Sequence, residues 1–422
     1  MESAHKSRLY YGWYVLAASF VILFFNSGAR YSFGVLFKPM VADLGWNRGS
    51  MSFAFFLNMT LFALSNVVMG RFYDRYGPKW VIVVSTLLMS AGYSLISVIG
   101  SLWEFYLYYG VLAAVGTGGG AVPLMSVLIS KWFERWRGLA ISLTLSGSCL
   151  GHFVMIPAVT GFTLLFGWRS SYFFMGLVMF VVNLSLVLLV IGRKPGALSQ
   201  HAPVMKREGA IGDHDRVVLK SRPQDLSFKE AARTSSFWLF AAVMFICGSG
   251  DFLVSTHLIP FATDQGISPV AAGNMLAWLG FTSLLGVLIA GPASDLVGNK
   301  IPLALTFLLR VLSYILILKY QSVTSFYVFS LVFGLTFLTT APLSTTLLGR
   351  IYGFSNIGLL AGFVNTLHHL GGGLWAYLGG WAFDRTGSYH LIFVASAVLA
   401  AVALICTILI TEKSHERFQT TA

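Results

Sequence analysis

The chain has 422 residues, of which 56% are hydrophobic and 10% charged, with a mean hydropathy of +0.75 and a formal charge of +12. So little charge cannot cover a water-facing surface, which excludes a soluble globular protein and points to a lipid-facing one. Nearly all the basic residues fall in short linkers between apolar runs, so the positive charge marks membrane topology and calls for no nucleic-acid partner.

The first apolar run begins near Trp13 and has no small-residue cleavage signal before the next loop, the pattern of a retained helix and not of a signal peptide. Segments long enough to cross about 30 Å of hydrocarbon lie at 13–37, 51–70, 80–99, 104–130, 139–163, 171–191, 236–262, 272–292, 301–319, 324–348, 357–383 and 389–411. Twelve spans place both termini on one side. With the termini inside, the inner linkers hold 21 lysines and arginines and the outer ones hold 5, which predicts cytoplasmic N- and C-termini. The one long polar segment, 192–233, is broken by Pro195, Gly196, Pro203, Gly209, Gly212 and Pro223. It reads as a tether, dividing the chain into an N-terminal six-helix bundle over 1–191, a cytoplasmic linker over 192–233 and a C-terminal six-helix bundle with a short tail over 234–422. The stretch from Gln224 to Arg233 reads equally as a short amphipathic helix or as plain basic linker. Cys149, Cys247 and Cys406 are too few and too scattered for a disulfide scaffold or a zinc site and read as small packing residues.

An internal repeat supports the division. Gly70-Arg71-Phe72-Tyr73-Asp74-Arg75-Tyr76-Gly77-Pro78-Lys79 returns in weaker form 221 residues later as Gly291-Pro292-Ala293-Ser294-Asp295-Leu296-Val297-Gly298-Asn299-Lys300. A second pair of features, the spans from Gly138 to the Gly167 turn and from Gly358 to the Gly387 turn, has almost the same offset. In the hinge, glycines permit a tight turn, and the acid can accept bonds from backbone amides at the next helix's N-terminus. Asp74 and Arg75, and more weakly Asp295, are therefore candidates for a gating latch at the inner face. The alternative for the basic residues is a topology signal alone.

Ionisable residues at mid-membrane depth are costly unless they face protein or water, which makes each a functional candidate. Arg30, beside Asn26 and Tyr31 in the first span, reads as a clamp for a carboxylate or as an arginine reaching outward to lipid headgroups. Asp251, after Gly248-Ser249-Gly250 in the seventh span, reads as a proton-coupling acid or as an ion-pair partner of Arg30. His152, His257, His368 and His369 can titrate near neutral pH. Adjacent ring positions point about 100° apart on a helix, so at most one of His368 and His369 faces a cavity squarely, and His368 is the candidate. Tyr109 and Asn365 are candidate donors to a solute, or polar glue between helices. Arg310 reads as a structural residue or as a pairing partner within the second half. The substrate set is thus Arg30, Asn26, Tyr31, Tyr109, His152, Asn365 and His368, and the coupling or gating set is Asp251, His257, Asp74, Arg75 and Asp295. The run Gly116-Thr117-Gly118-Gly119-Gly120 lacks the preceding strand and following Lys-Ser/Thr of a nucleotide loop, and reads as close helix packing.

With twelve spans and a central linker, the hinge resembles the signature between helices 2 and 3 of the major facilitator superfamily. Tyr10-Tyr11-Gly12-Trp13, Ser32-Phe33-Gly34-Val35, Leu44-Gly45-Trp46-Asn47-Arg48, His368-His369-Leu370-Gly371-Gly372 and Phe383-Asp384-Arg385-Thr386-Gly387-Ser388-Tyr389 resemble its bacterial branch related to monocarboxylate transporters and the oxalate/formate exchanger. Related carriers commonly place an arginine in helix 8, where Met275 to Val287 carries no charge. The resemblance implies an all-α membrane protein of two pseudo-symmetric six-helix bundles in a bacterial inner membrane. It implies no enzyme activity and no cofactor, with a monomer as the functional unit. The expected activity is secondary active transport of a small organic anion such as lactate or pyruvate, with protons as the coupling ion. The alternatives are exchange of dicarboxylates such as oxalate, and export of amphiphilic compounds by proton antiport.

Overall fold

The computed structural model describes residues 10–133, 137–191, 226–353 and 357–411. Among the described residues the chain is all helix and turn, and the long helices make twelve spans. The first, α1, runs Gly12–Leu44, α2 Arg48–Tyr76, α3 Pro78–Ile96 and α4 Leu102–Ser130. The helix Arg137–Leu186 is two spans, α5 before and α6 after a break at Gly167, whose φ of 78° and ψ of 167° only glycine adopts without strain. In the second half α7 is Ser235–Asp264, α8 Pro269–Val297, α9 Lys300–Lys319, α10 Val323–Tyr352, α11 Ile357–Thr386 and α12 His390–Leu409. Of the stretch from Gln224 to Arg233, the described part contains a single helical turn, Phe228–Ala231, closed by a capping box between Ser227 and Glu230. Most of the polar linker lies outside the described residues.

The repeat seen in the hinge extends to the backbone. Gly77 and Gly298 share one conformation, φ 82° and ψ 167° against φ 79° and ψ 172°. The same offset of 221 relates the left-handed turns at Gly45 and Gly266, the N-caps Asn47 and Ser268, and the N-caps Ser101 and Ser322. In each pair the side-chain oxygen accepts the backbone N–H three residues on, satisfying a donor at the helix start. Two halves of one design are thus legible in the turns, where backbone geometry constrains residue choice most.

One irregularity positions a side chain. Within α4, Tyr106–Ala113 is wound as a π-helix, which frees a carbonyl from the α pattern. Asn58 of α2 donates its amide to the Tyr109 carbonyl at 2.6 Å, and the Tyr109 ring lies buried against Phe33 and Phe105.

The halves meet along α2 with α11, α5 with α8, and α1 with α7. The inner end is the one that carries the Asp74–Arg75 hinge, and the outer end the one that carries Lys38, Arg48 and Asp264. Toward the outer end the contact is backbone-close. A Cβ on Gly380 would come within 2.5 Å of the Arg48 carbonyl oxygen, one on Gly373 within 3.1 Å of the Phe56 backbone, and one on Gly34 within 2.4 Å of the Ser255 carbonyl. Toward the inner end the same helices part, and a Cβ on Gly70, Gly138, Gly291, Gly358 or Gly362 would meet nothing within 4 Å. The large core shared by both halves is built from outer-end residues such as Phe33, Phe55, Leu253 and Leu258, whereas the clusters nearer the inner end belong to one half each. Large apolar side chains such as Leu165, Leu189 and Ile405 stay exposed around the bundle, the surface a bilayer covers.

Candidate functional site

The α1 helix carries Arg30 to the seam between the halves. Its guanidinium lies 4.3 Å from the ring centre of Phe62 on α2 and 5.1 Å from that of Phe252 on α7. The terminal nitrogen contacts the Met59 sulfur at 2.9 Å, and Nε is buried without a partner. No carboxylate among the described residues reaches it. An arginine at mid-depth costs about 2.5–3.5 kcal/mol even on insertion scales. Two aromatic faces and a thioether replace only part of its hydration. The site therefore holds one uncompensated positive charge, facing inward and not toward headgroups.

Asp251 is placed otherwise. Its carboxylate pairs within the C-terminal half, 2.6 Å from Arg310 of α9, and both side chains are almost fully buried. Arg310 reaches inward and makes three further bonds: it donates to the Thr336 hydroxyl at 3.1 Å, the Thr336 carbonyl at 3.0 Å and the Cys247 carbonyl at 3.1 Å. His368 lies beside this pair, with Nε2 3.8 Å from the Asp251 carboxylate. Cys247, Asp251 and His368 offer three donors within 4.8 Å of one another. The Arg310 guanidinium already supplies the positive charge against that carboxylate, so the cluster reads as a closed ion pair.

His369, which is not among the expected site residues, turns instead toward the seam. Its ring is 4.9 Å from Phe62 and 5.6 Å from Phe252, the two rings that flank Arg30. His368 also meets Phe252, at 5.7 Å, but of the two rings it is His369 that reaches Phe62 of the other half, and which of two adjacent histidines does so depends on helix rotation. Asn365, one turn earlier, accepts a bond from His369 Nδ1 at its backbone carbonyl, 2.8 Å away.

The other candidates fall into three settings. Tyr31 stacks on His152 at 4.3 Å with an interplanar angle of 9°, and both rings meet Phe337 of the other half. His152 Nε2 is buried and unpartnered. Asn26 is tied inside the N-terminal half, donating to the Gly120 carbonyl and accepting from Asn183 at 2.9 Å. Tyr109 keeps a buried hydroxyl with no partner.

His257 belongs to the outer end. Its Nε2 is 2.7 Å from the Ala376 carbonyl, an acceptor only, so this nitrogen carries the proton. Nδ1 then accepts from the Tyr389 hydroxyl at 3.0 Å, and that oxygen accepts from Arg48 at 3.0 Å. Arg48 also grips Asp264 through both terminal nitrogens, at 2.5 and 3.0 Å, and Lys38 binds the same carboxylate at 2.7 Å. Asp384 of α11 accepts from the Arg48 and Gly49 backbone amides at 3.0 and 2.7 Å, so one half supplies an anionic cap to a helix of the other. The pairing was missed because its members lie on different outer loops. Their opposite signs, in a region with so few charges, were the available signal.

At the inner hinge Asp74 and Arg75 belong to the last turn of α2, and both are exposed. Neither makes a salt bridge among the described residues, and Arg75 lies over the Tyr76 ring at 5.3 Å. Asp295 sits near the end of α8, and its side chain lies outside the described residues.

Two pseudo-symmetric bundles sealed at one end, parted at the other and enclosing a buried cation with no acidic partner among the described residues define a membrane carrier that works by alternating access. The sequence profile of the Major Facilitator Superfamily matches residues 19–261 and 240–421, and the chain belongs to that superfamily. An uncharacterized MFS-type transporter of Bacillus subtilis (strain 168) is 27% identical over 413 residues, covering 96% of this chain and 97% of its own. Monocarboxylate transporter 13 of Bos taurus is 26% identical over 398 residues, 93% of this chain and 87% of its own. Among solved structures, a bacterial homologue of the human lysosomal transporter Spinster, in an inward-facing and occupied conformation, matches with a TM-score of 0.75. That match covers 95% of this chain and 97% of its own at 16% identity, a likeness of fold alone. The protein is a multi-pass membrane transporter and not an enzyme, moving a small organic solute by secondary active transport.

Proposed function

We propose that the transported solute is a small monocarboxylate such as lactate or pyruvate, carried with a proton, and that Arg30 holds its carboxylate. The observation that carries this reading is the charge balance of the buried arginines: Arg310 is neutralised by Asp251, and Arg30 is not neutralised. One uncompensated guanidinium matches one carboxylate, which it can hold through two parallel hydrogen bonds. A dicarboxylate would bring a second charge with no cation to meet it, which disfavours oxalate exchange. Tyr31 and His152 border the same seam and supply polar edges for the rest of a small solute. The similarity to a monocarboxylate transporter supports the same substrate class. In this reading the monomer transports, and the termini and the Asp74–Arg75 hinge face the cytoplasm of a bacterial cell.

Uptake of labelled lactate, pyruvate and oxalate into proteoliposomes tests the reading. The wild type is expected to prefer the monocarboxylates. Arg30→Ala should lower lactate uptake by about 100-fold or more, in line with the loss of a desolvated charge-assisted pair. Unchanged affinity and rate in that variant would refute the clamp.

A further inference from the structure

We infer that His369 on α11 carries the co-transported proton, taking it up when an anion docks on Arg30 across the seam. This rests on the carboxylate reading of Arg30 and adds the coupling residue to it.

The ring geometry assigns the free nitrogen. His369 Nδ1 is 2.8 Å from the Asn365 carbonyl oxygen, which can only accept, so Nδ1 bears hydrogen and Nε2 holds the lone pair of the neutral ring. The same two rings contact both groups: Phe62 lies 4.3 Å from the Arg30 guanidinium and 4.9 Å from the His369 ring, and Phe252 lies 5.1 and 5.6 Å from them. A solute lodged at Arg30 therefore lies next to His369, and the two contacts come from opposite halves.

The charged and titratable groups around the ring are few. From α1 there is Arg30, from α11 itself His368, and beyond His368 the Asp251–Arg310 pair with Cys247, while α2 meets the ring through Phe62. Asp251 is the obvious rival and is poorly placed, because a proton on it would strip the 2.6 Å partner from the buried Arg310. Two cations at the empty seam repel one another in a medium of low dielectric. A carboxylate removes that repulsion and gives an Nε2–H bond an acceptor. The proton goes to the Nε2 lone pair, making an imidazolium that faces the anion, and the loaded site keeps the net charge of the empty one. Anion and proton then favour each other's binding reciprocally.

The test is the steady-state accumulation of labelled lactate in proteoliposomes under an imposed gradient of one pH unit, alongside lactate self-exchange. One proton per anion sustains about tenfold accumulation in the wild type, since one pH unit is worth about 1.4 kcal/mol. In His369→Gln, exchange slows but remains measurable, and the accumulation ratio falls to one. His369→Asn serves if the glutamine variant loses exchange as well. Calorimetry of lactate binding to the wild type in buffers of different ionisation heat reads the coupling without a substitution, with near one proton taken up per anion expected. Tenfold accumulation in an exchange-active His369 variant would overturn the assignment, as would no proton uptake in the wild type. A wild type that neither exchanges nor accumulates lactate or pyruvate would instead defeat the substrate reading beneath it.

Discussion

The outer and inner ends of this molecule are built from the same helices and behave as opposites. At the outer end α2 and α11 touch backbone to backbone, and Lys38 and Arg48 of one half share Asp264 of the other. At the inner end those two helices present Gly70, Gly358 and Gly362 to open space, and Asp74 and Arg75 are exposed. The lesson is that an internal repeat supplies two equivalent frames, while the residues hung on each frame decide which end is shut. Alternating access requires the two closures to be nearly balanced, so a few kcal/mol at either end redistributes the states.

The comparison breaks most directly at glycine. Gly380→Leu drives a side chain into the Arg48 carbonyl and Ser52, and overpacking of this kind costs on the order of 1–3 kcal/mol. The outer seal should open, seen as faster labelling of a cysteine introduced in place of Ser52. Gly358→Leu, on the same helix, meets no atom within 4 Å in this conformation and should leave that labelling unchanged. Equal effects of the two changes would mean that the ends are not distinct. A smaller shift, on the order of 1 kcal/mol, is expected from Asp264→Asn, which leaves two partly exposed cations without their shared partner. Distances between spin labels on α1 and α7 at the outer end should lengthen in a larger fraction of molecules. The least change is expected from Asp74→Asn. Because Asp74 has no salt bridge here among the described residues, thermal stability of this conformation should stay the same, whereas transport slows if the hinge latches in the opposite one. A drop in melting temperature would show that the hinge already bears load with the outer end shut.

Much of the fold could be read in advance because hydrocarbon imposes length. Twelve apolar runs and one polar tether followed from that constraint, and the 221-residue offset of the hinge returns in the Gly45 and Gly266 turns. Several runs were shorter than the helices, as where 51–70 became Arg48–Tyr76, since hydropathy ends at the membrane edge while backbone hydrogen bonding does not. Side-chain partners were far less legible. The candidate status of Arg30 and Asp251 followed from the cost of burying charge, but which cation meets Asp251 depends on how α9 is rotated against α7. Asn26 illustrates the same limit, since a buried amide beside an arginine looks the same in sequence whether it meets a solute or, as here, Gly120 and Asn183. His368 and His369 differ by one position and point to different halves of the chemistry.

The π turn of α4 has a consequence for how this architecture tolerates change in chain length. Such a turn stores a surplus residue without shifting the helix ends, so deleting one residue between Tyr106 and Ala113 need not shorten the span. Instead it would restore ordinary winding there, swing the Tyr109 side chain by about 100° and withdraw the carbonyl that Asn58 now holds. A single-codon deletion, usually ruinous in a membrane helix, would at this place act as a rotation of one aromatic ring.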